Sequence, residues 1–148
     1  MRMTASDTPM HIGEVFREML EAKPVTVTLP GSIRSKKNSK RVFKRGPVTQ
    51  VLPSVAYLKW EDAARAAVMQ QLFPDQCRKA DGPLHVKVTA YYKGQQPDLS
   101  GVLESVGDCL EGFLWDNDRQ IQSWDGSRLV HDLDNPRTVV EVYNLTPR

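Results

Sequence analysis

The sequence predicts an α/β domain in which a mixed β-sheet of about four strands packs with helices in the order β-α-β-α-β-β, behind an additional N-terminal helix. Three observations carry that expectation. Alternation with period two marks Val25–Leu29, Leu84–Tyr92 and Thr138–Leu145 as strands. Helical periodicity with start and stop signals marks Ser54–Phe73 and Leu99–Gly112. The length, 148 residues, suits one domain whose core needs no staples, residues 23–148, preceded by an extension over 1–22.

Met1–Pro9 is polar, and His11–Ala22 sets Ile12, Val15, Phe16, Met19 and Leu20 on one stripe, an amphipathic helix that needs a surface to cover. The domain, a second subunit or another partner would serve. Val25-Thr26-Val27-Thr28-Leu29 alternates and is ended by Pro30-Gly31. Ser54, after Pro53, opens an Ala-rich helix that Pro74 stops, with Tyr57, Trp60, Ala64, Ala67 and Val68 as its buried face. Leu84–Tyr92 is the clearest strand and leads through Lys93-Gly94 to Pro97-Asp98, placing Asp98 at a strand-to-helix junction, where the sites of layered folds gather. In the next helix Leu99, Leu103, Val106 and Leu110 share one face, and Ser100, Glu104, Asp108 and Glu111 the adjoining one. Arg119–Trp124 reads as a strand, Asp125-Gly126 as a turn or bulge, and Arg128–Val130 as its continuation or a hairpin return. Thr138–Leu145 is the last strand.

The formal charge of +2 conceals a segregation of charge along the chain. No acidic residue falls between Lys23 and Trp60, whereas acids outnumber bases from Pro97 to Asn135. Arg34, Lys36, Lys37, Lys40, Arg41, Lys44 and Arg45 are interleaved with Ser35, Asn38 and Ser39, which also donate to phosphate oxygens. A solvated basic loop and a phosphate-binding strip both fit that composition. The acidic region opens a similar pair of readings. Asp98, Glu104, Asp108 and Asp118 read either as a cap, a solvated helix face and a turn, or as carboxylates gathered around a hard divalent cation such as Mg²⁺. Cys77 and Cys109 match neither a zinc spacing nor a disulfide framework, so the chain reads as cytosolic. No segment has the apolar length of a membrane span or the core of a signal peptide. His11, His85 and His131 are scattered and read as structural or exposed.

Four segments in order resemble one family. Pro97-Asp98-Leu99-Ser100-Gly101, Glu104, Asp108-Cys109-Leu110 and Asn117-Asp118-Arg119-Gln120-Ile121 are similar to its pattern Asp-x-Asp-Asn-Leu-x-Lys, Asp-Ala-Leu, Asp-Asp-x-Gln-Ile. Upstream, Lys36-Lys37-Asn38-Ser39-Lys40-Arg41 and Pro53-Ser54-x-Ala56-Tyr57-x-x-Trp60-Glu61 look like elements of its phage members. The family is that of the RusA Holliday junction resolvases, and the resemblance spans roughly Val25 to Leu145.

The resemblance implies a hydrolase of DNA recombination and repair, acting in the cytoplasm of a bacterium or a phage-infected cell. It would be a Mg²⁺-dependent endodeoxyribonuclease, with Mn²⁺ as a substitute and no small-molecule cofactor. Its substrate would be a four-way DNA junction, cut by paired nicks, and the two-fold symmetry of that substrate calls for a homodimer. The family's metal-binding carboxylates map to Asp98, Ser100 and Asp118, and its lysine maps to Glu104. The implied site is therefore a variant in which Asp98, Glu104 and Asp118 hold the metal and Asp108 supports them. Arg34, Lys36, Lys37, Asn38, Lys40, Arg41, Lys44 and Arg45 would bind DNA. A branched-DNA-binding protein without nuclease activity and a small basic nucleic-acid-binding module are the alternatives.

Overall fold

A computed structural model describes residues 24–35, 40–72 and 79–145. The expected helix over His11–Ala22 lies outside the described residues, as do Lys36, Lys37, Asn38, Ser39 and Cys77. Among the described residues the strands are β1 (Val25–Pro30), β2 (Lys40–Arg45), β3 (Val48–Pro53), β4 (Leu84–Tyr92), β5 (Ile121–Ser123), β6 (Arg128–His131) and β7 (Arg137–Asn144). The helices are α1 (Val55–Leu72) and α2 (Leu99–Leu110), with a 3₁₀ turn at Asp118–Gln120.

β4 is the strand on which the main sheet is assembled. Its sequence buries Leu84, Val86, Val88 and Ala90 completely, the alternation expected of a strand covered by helices. Along one edge it pairs antiparallel with β7, which pairs antiparallel with β1. Along the other edge two short strands follow one another, both parallel to β4: β5 beside Leu84 and His85, β6 beside Thr89–Tyr92. Arg128–Val130 is thus the continuation of β5 past the Asp125–Gly126 turn, not a hairpin return. In the gap between β5 and β6 the Val88 N–H donates to Ser127 Oγ at 2.9 Å, so that donor is satisfied although the ladder is interrupted. At the far edge of the sheet, the Gln71 side chain accepts from the Thr28 N–H and donates to the Thr28 carbonyl, both at 2.7 Å, completing the pairing of an edge strand.

Ser54 starts α1 as its composition requires, its Oγ accepting from the Tyr57 N–H at 3.1 Å. The buried face is Tyr57, Trp60, Ala64, Val68 and Leu72; Ala67, expected there, is half-buried, and Leu72 extends the line instead. A polar chain links α1 to α2. The Tyr57 hydroxyl donates to Glu61 Oε2 at 2.6 Å, Glu61 pairs with Arg65 at 3.1 Å, and Arg65 Nε donates to the Cys109 carbonyl at 3.2 Å. Burial, with the Glu61 carboxylate behind it, pushes the Tyr57 hydroxyl up, and burial pushes the Cys109 thiol up to about 12.

Two expectations need correction. The stretch read as a basic loop contains β2, which pairs with β3 from Lys40↔Pro53 to Arg45↔Val48 in a two-stranded sheet of its own. The missed turn is Gly46-Pro47. Gly46 takes φ 57°, and proline fixes the next φ near −65°, which suits a II′ hairpin connection. No alternation announced the hairpin because its valines are not core residues: Val42, Val48 and Val51 are all more than half exposed. Nor does α2 bury the whole of the expected face, although Val106 and Leu110 are fully buried. Leu99 is exposed and Leu103 only half-buried, while Gly101, Val102, Ser105, Val106, Cys109 and Leu110 are buried. The helix is rotated because another part of the chain, Ser32–Ser35, packs against its first turn. There a Cβ on Gly101 would collide with Ser35 Oγ. The helix ends at Leu110, two residues before the expected Gly112.

Gly101→Ala should therefore destabilise the fold by about 1–2 kcal/mol in chemical unfolding, overpacking outweighing the gain in helix propensity. An unchanged or raised midpoint would show that the Ser35 contact yields easily.

Candidate active site

The strand β4 and the segment Lys93–Asp98 deliver the chain to α2, and the turn after α2 brings it back along the same face. Ser100, Leu103, Glu104 and Gly107 stand at i, i+3, i+4 and i+7 and so form one stripe of α2. With Asp118 and Trp124 they line a cleft of about 340 Å³. Glu104 and Asp118, from separate elements, thus face one space.

Asp118 is held there by its neighbours. Asn117 caps the 3₁₀ turn, its Oδ1 accepting from the Arg119 N–H at 2.9 Å. Gln120 uses its whole side-chain amide. Oε1 accepts from the Asp116 and Asn117 N–H groups at 2.9 and 3.1 Å, and Nε2 donates to the Ala80 and Gly82 carbonyls at 2.9 and 3.0 Å. One side chain therefore closes the Asp116–Gln120 turn and ties it to the segment leading into β4. Nearby, Lys79 pairs with Asp116 at 2.9 Å. Gly107 leaves α2 narrow where the turn crosses it. A Cβ there would stand 3.7 Å from Asp118 Cβ and 4.0 Å from the Trp124 ring, in full contact with both.

Asp98 occupies the N-cap position of α2 in an extended conformation, yet its side chain makes no capping bond. It accepts instead from the Ser100 hydroxyl at 2.8 Å. Asp98 lines a second cleft, of about 300 Å³, with Ser32, Arg34, Lys93, Gln95 and Gln96 among its walls. Ser100 and Asp98 therefore connect the two clefts by one hydrogen bond.

The expected site residues divide accordingly. Glu104 and Asp118 share the first cleft with Ser100, and Asp98 stands next to it. Asp108 lines neither; it is half-buried, and its charge raises the pKa values of Tyr57 and Cys109. Among the described residues, no three or more His, Cys, Asp or Glu side chains are gathered closely enough to hold one metal ion. Two carboxylates and a hydroxyl on one cleft are nonetheless a donor set that suits a hard cation retaining several waters. Of the expected DNA-binding residues, Arg34 lines the second cleft, Lys44 is exposed on the hairpin, Lys40, Arg41 and Arg45 belong to β2, and Lys36, Lys37 and Asn38 are outside the described residues. Lys93, Trp124 and Gln120 are further residues of the two clefts and of the Asp118 turn. Lys93 sits between the clearest strand and Asp98, and Gln120 lies inside the Asn117–Ile121 motif, so both positions were marked.

Residues 30–143, most of the chain, match the family model of endodeoxyribonuclease RusA. The chain belongs to the RusA endodeoxyribonuclease family. RusA-family proteins are endonucleases that resolve Holliday junctions, so branched DNA is the family's substrate, and they generally depend on divalent metal. No individual curated protein matches the chain. Among the described residues no helix is long and apolar enough to cross a membrane.

Gln120→Ala should lower the unfolding free energy by about 1–3 kcal/mol through the unmade bonds. In this RusA-family site it should also lower nicking far more than junction binding, because the turn it closes carries Asp118. Equal losses in both assays would detach Gln120 from the site.

Proposed function

We propose that this RusA-family chain is a Mg²⁺-dependent resolvase that cuts four-way DNA junctions by paired nicks as a homodimer, with Mn²⁺ able to replace Mg²⁺. The observation that carries the reading is the shared cleft of Glu104 and Asp118, in a chain whose family match includes both. Asp98, Glu104 and Asp118 would hold the metal; Asp108, one turn beyond Glu104, lines neither cleft and has no part in it. A divalent cation held by these carboxylates would supply activation of a water and neutralisation of charge on the phosphate and the leaving oxygen.

The protein's own contribution is placement and charge. Ser100 stands where the family pattern has a carboxylate, and a neutral hydroxyl is a weaker ligand for a hard cation. Glu104 lies one turn further along the same stripe and restores the missing charge. The hydrogen bond from Ser100 ties the Asp98 carboxylate, on the neighbouring cleft, to the stripe that carries Glu104. Without a cation these groups repel DNA; the basic hairpin attracts it and aligns it. Leu103 and Trp124 contribute apolar walls to the cleft.

The decisive experiment is nicking of a synthetic four-way junction with Mg²⁺ or Mn²⁺, combined with sedimentation to count chains per junction. Two symmetric nicks by two chains are expected. Asp98→Asn, Asp118→Asn and Glu104→Gln should each abolish nicking while leaving junction binding intact or tighter, since each removes a charge that repels phosphate. A Glu104→Gln protein that cuts like the parent excludes Glu104 as a ligand; higher activity of Glu104→Lys would then identify it as a tolerated change at the family's lysine position. A protein that stays monomeric on the junction contradicts paired nicking.

The separation of Asp98 from the cleft of Glu104 and Asp118 favours a second reading, a junction-binding protein without nuclease activity. Tight, structure-selective binding with no cleavage under either metal would establish it. In both readings the strip including Lys40, Arg41, Lys44 and Arg45 binds phosphates. Their joint replacement by Ala should flatten the salt dependence of binding by about 0.9 in log-log slope per lost contact, and an unchanged slope would remove them from the interface.

A further inference from the structure

We infer that the cleft between Ser32–Ser35 and Lys93–Asp98 is a seat for a DNA phosphate other than the one cut, with Lys93 and Arg34 as its cations. The inference rests on the nuclease reading for its ligand but not for its geometry. The cleft, of about 300 Å³, is walled by two segments that are far apart in sequence. They are joined by Ser32 Oγ, which accepts from the Lys93 N–H at 3.2 Å and donates to the Lys93 carbonyl at 3.5 Å. From beneath, the Ser105 hydroxyl donates to the Arg34 carbonyl at 2.9 Å. The backbone under both cations is therefore anchored, and the anchors engage main-chain atoms only.

The charged ends are left for something else. Arg65, Lys79, Lys87 and Arg137 each pair with a carboxylate, whereas neither Arg34 nor Lys93 has an ion-pair partner among the described residues. Asp98, the carboxylate on the cleft wall, accepts a hydrogen bond from Ser100. Two cations with Ser32, Gln95 and Gln96 make a donor-rich, net positive lining suited to an anion. A phosphodiester suits it better than an isolated small anion. The cleft is open and meets the acidic one at the Ser100–Asp98 pair, so one nucleic-acid strand crossing that pair presents successive phosphates to both.

The test uses the full-length protein and a fluorescent four-way junction in EDTA, where binding is read without cleavage. Lys93→Ala should lower the log-log salt slope by about 0.9, one phosphate contact, and Lys93→Arg should restore it. With Mg²⁺ present, Lys93→Ala should raise KM and leave kcat near the parent's, the signature of a contact made equally in ground and transition states. The thermal midpoint should not move, because only the Lys93 backbone is used by the fold. A parent that binds and nicks with a steep salt slope, alongside a Lys93→Ala variant with the same slope and KM, overturns the phosphate seat and leaves the nuclease reading standing. A parent that neither binds nor nicks the junction overturns both.

Discussion

The site depends on how closely other segments can approach one short helix. α2 has twelve residues, and two of them, Gly101 and Gly107, are interior glycines at the places where the chain crosses it. Each costs the helix about 0.5–1 kcal/mol relative to alanine. The opposite face compensates: Val102, Val106, Cys109 and Leu110 are fully buried against the sheet and α1. Gly101 admits Ser35 and with it the segment carrying Arg34; at Gly107 a Cβ would only reach ordinary contact with Asp118 and Trp124. Segments from the basic and the acidic parts of the chain thereby pack on the same helix from two sides.

The sheet supplies the rigid side of that arrangement. β4 is paired along both edges, antiparallel to β7 and parallel to β5 and β6, so its end at Tyr92 is fixed before the chain turns to Asp98. The Asp132 N–H donates to the Tyr92 carbonyl at 2.8 Å, extending the pairing to the mouth of the second cleft. Side-chain amides do the rest at the margins. Gln71 completes the edge of β1, and Gln120 locks the turn of Asp118; both act as two-sided partners for backbone groups that have no strand beside them.

Charge follows the same division. The hairpin β2–β3 forms a separate small sheet with exposed valines, and two-stranded ribbons of this kind gain little stability from their own packing. A polyanion alongside it would supply the counter-charge that Lys23–Trp60 lacks. Two cations of the sheet, Lys87 and Arg137, are paired locally with Glu141 and Asp132. Arg137 also lies over the Tyr91 ring at 3.8 Å, and two hydrogen bonds from backbone N–H groups, with Arg137 beside them, hold the Asp132 carboxyl below its ordinary range.

The sequence by itself determined what depends on local periodicity and on short-range stereochemistry. β1, β4 and β7, the start of α1 at Ser54, and the placement of Asp98 at a strand-to-helix junction follow from alternation, capping and the stop signals of proline and glycine. The family is legible from four ordered segments. What only the tertiary structure decided is which face of α2 is buried and what shares its exposed stripe. Leu99 and Leu103 read as core because apolar spacing alone cannot anticipate that Ser35 will pack on Gly101 from the other side. The hairpin was illegible for a related reason: alternation records burial, and Val42, Val48 and Val51 are exposed. The company of Glu104 and Asp118, and the division of Asp98 from them, likewise depend on a turn closed by Gln120 against residues about forty positions earlier. Contacts at that separation are fixed by packing and hydrogen-bond geometry, which no local pattern in the chain encodes.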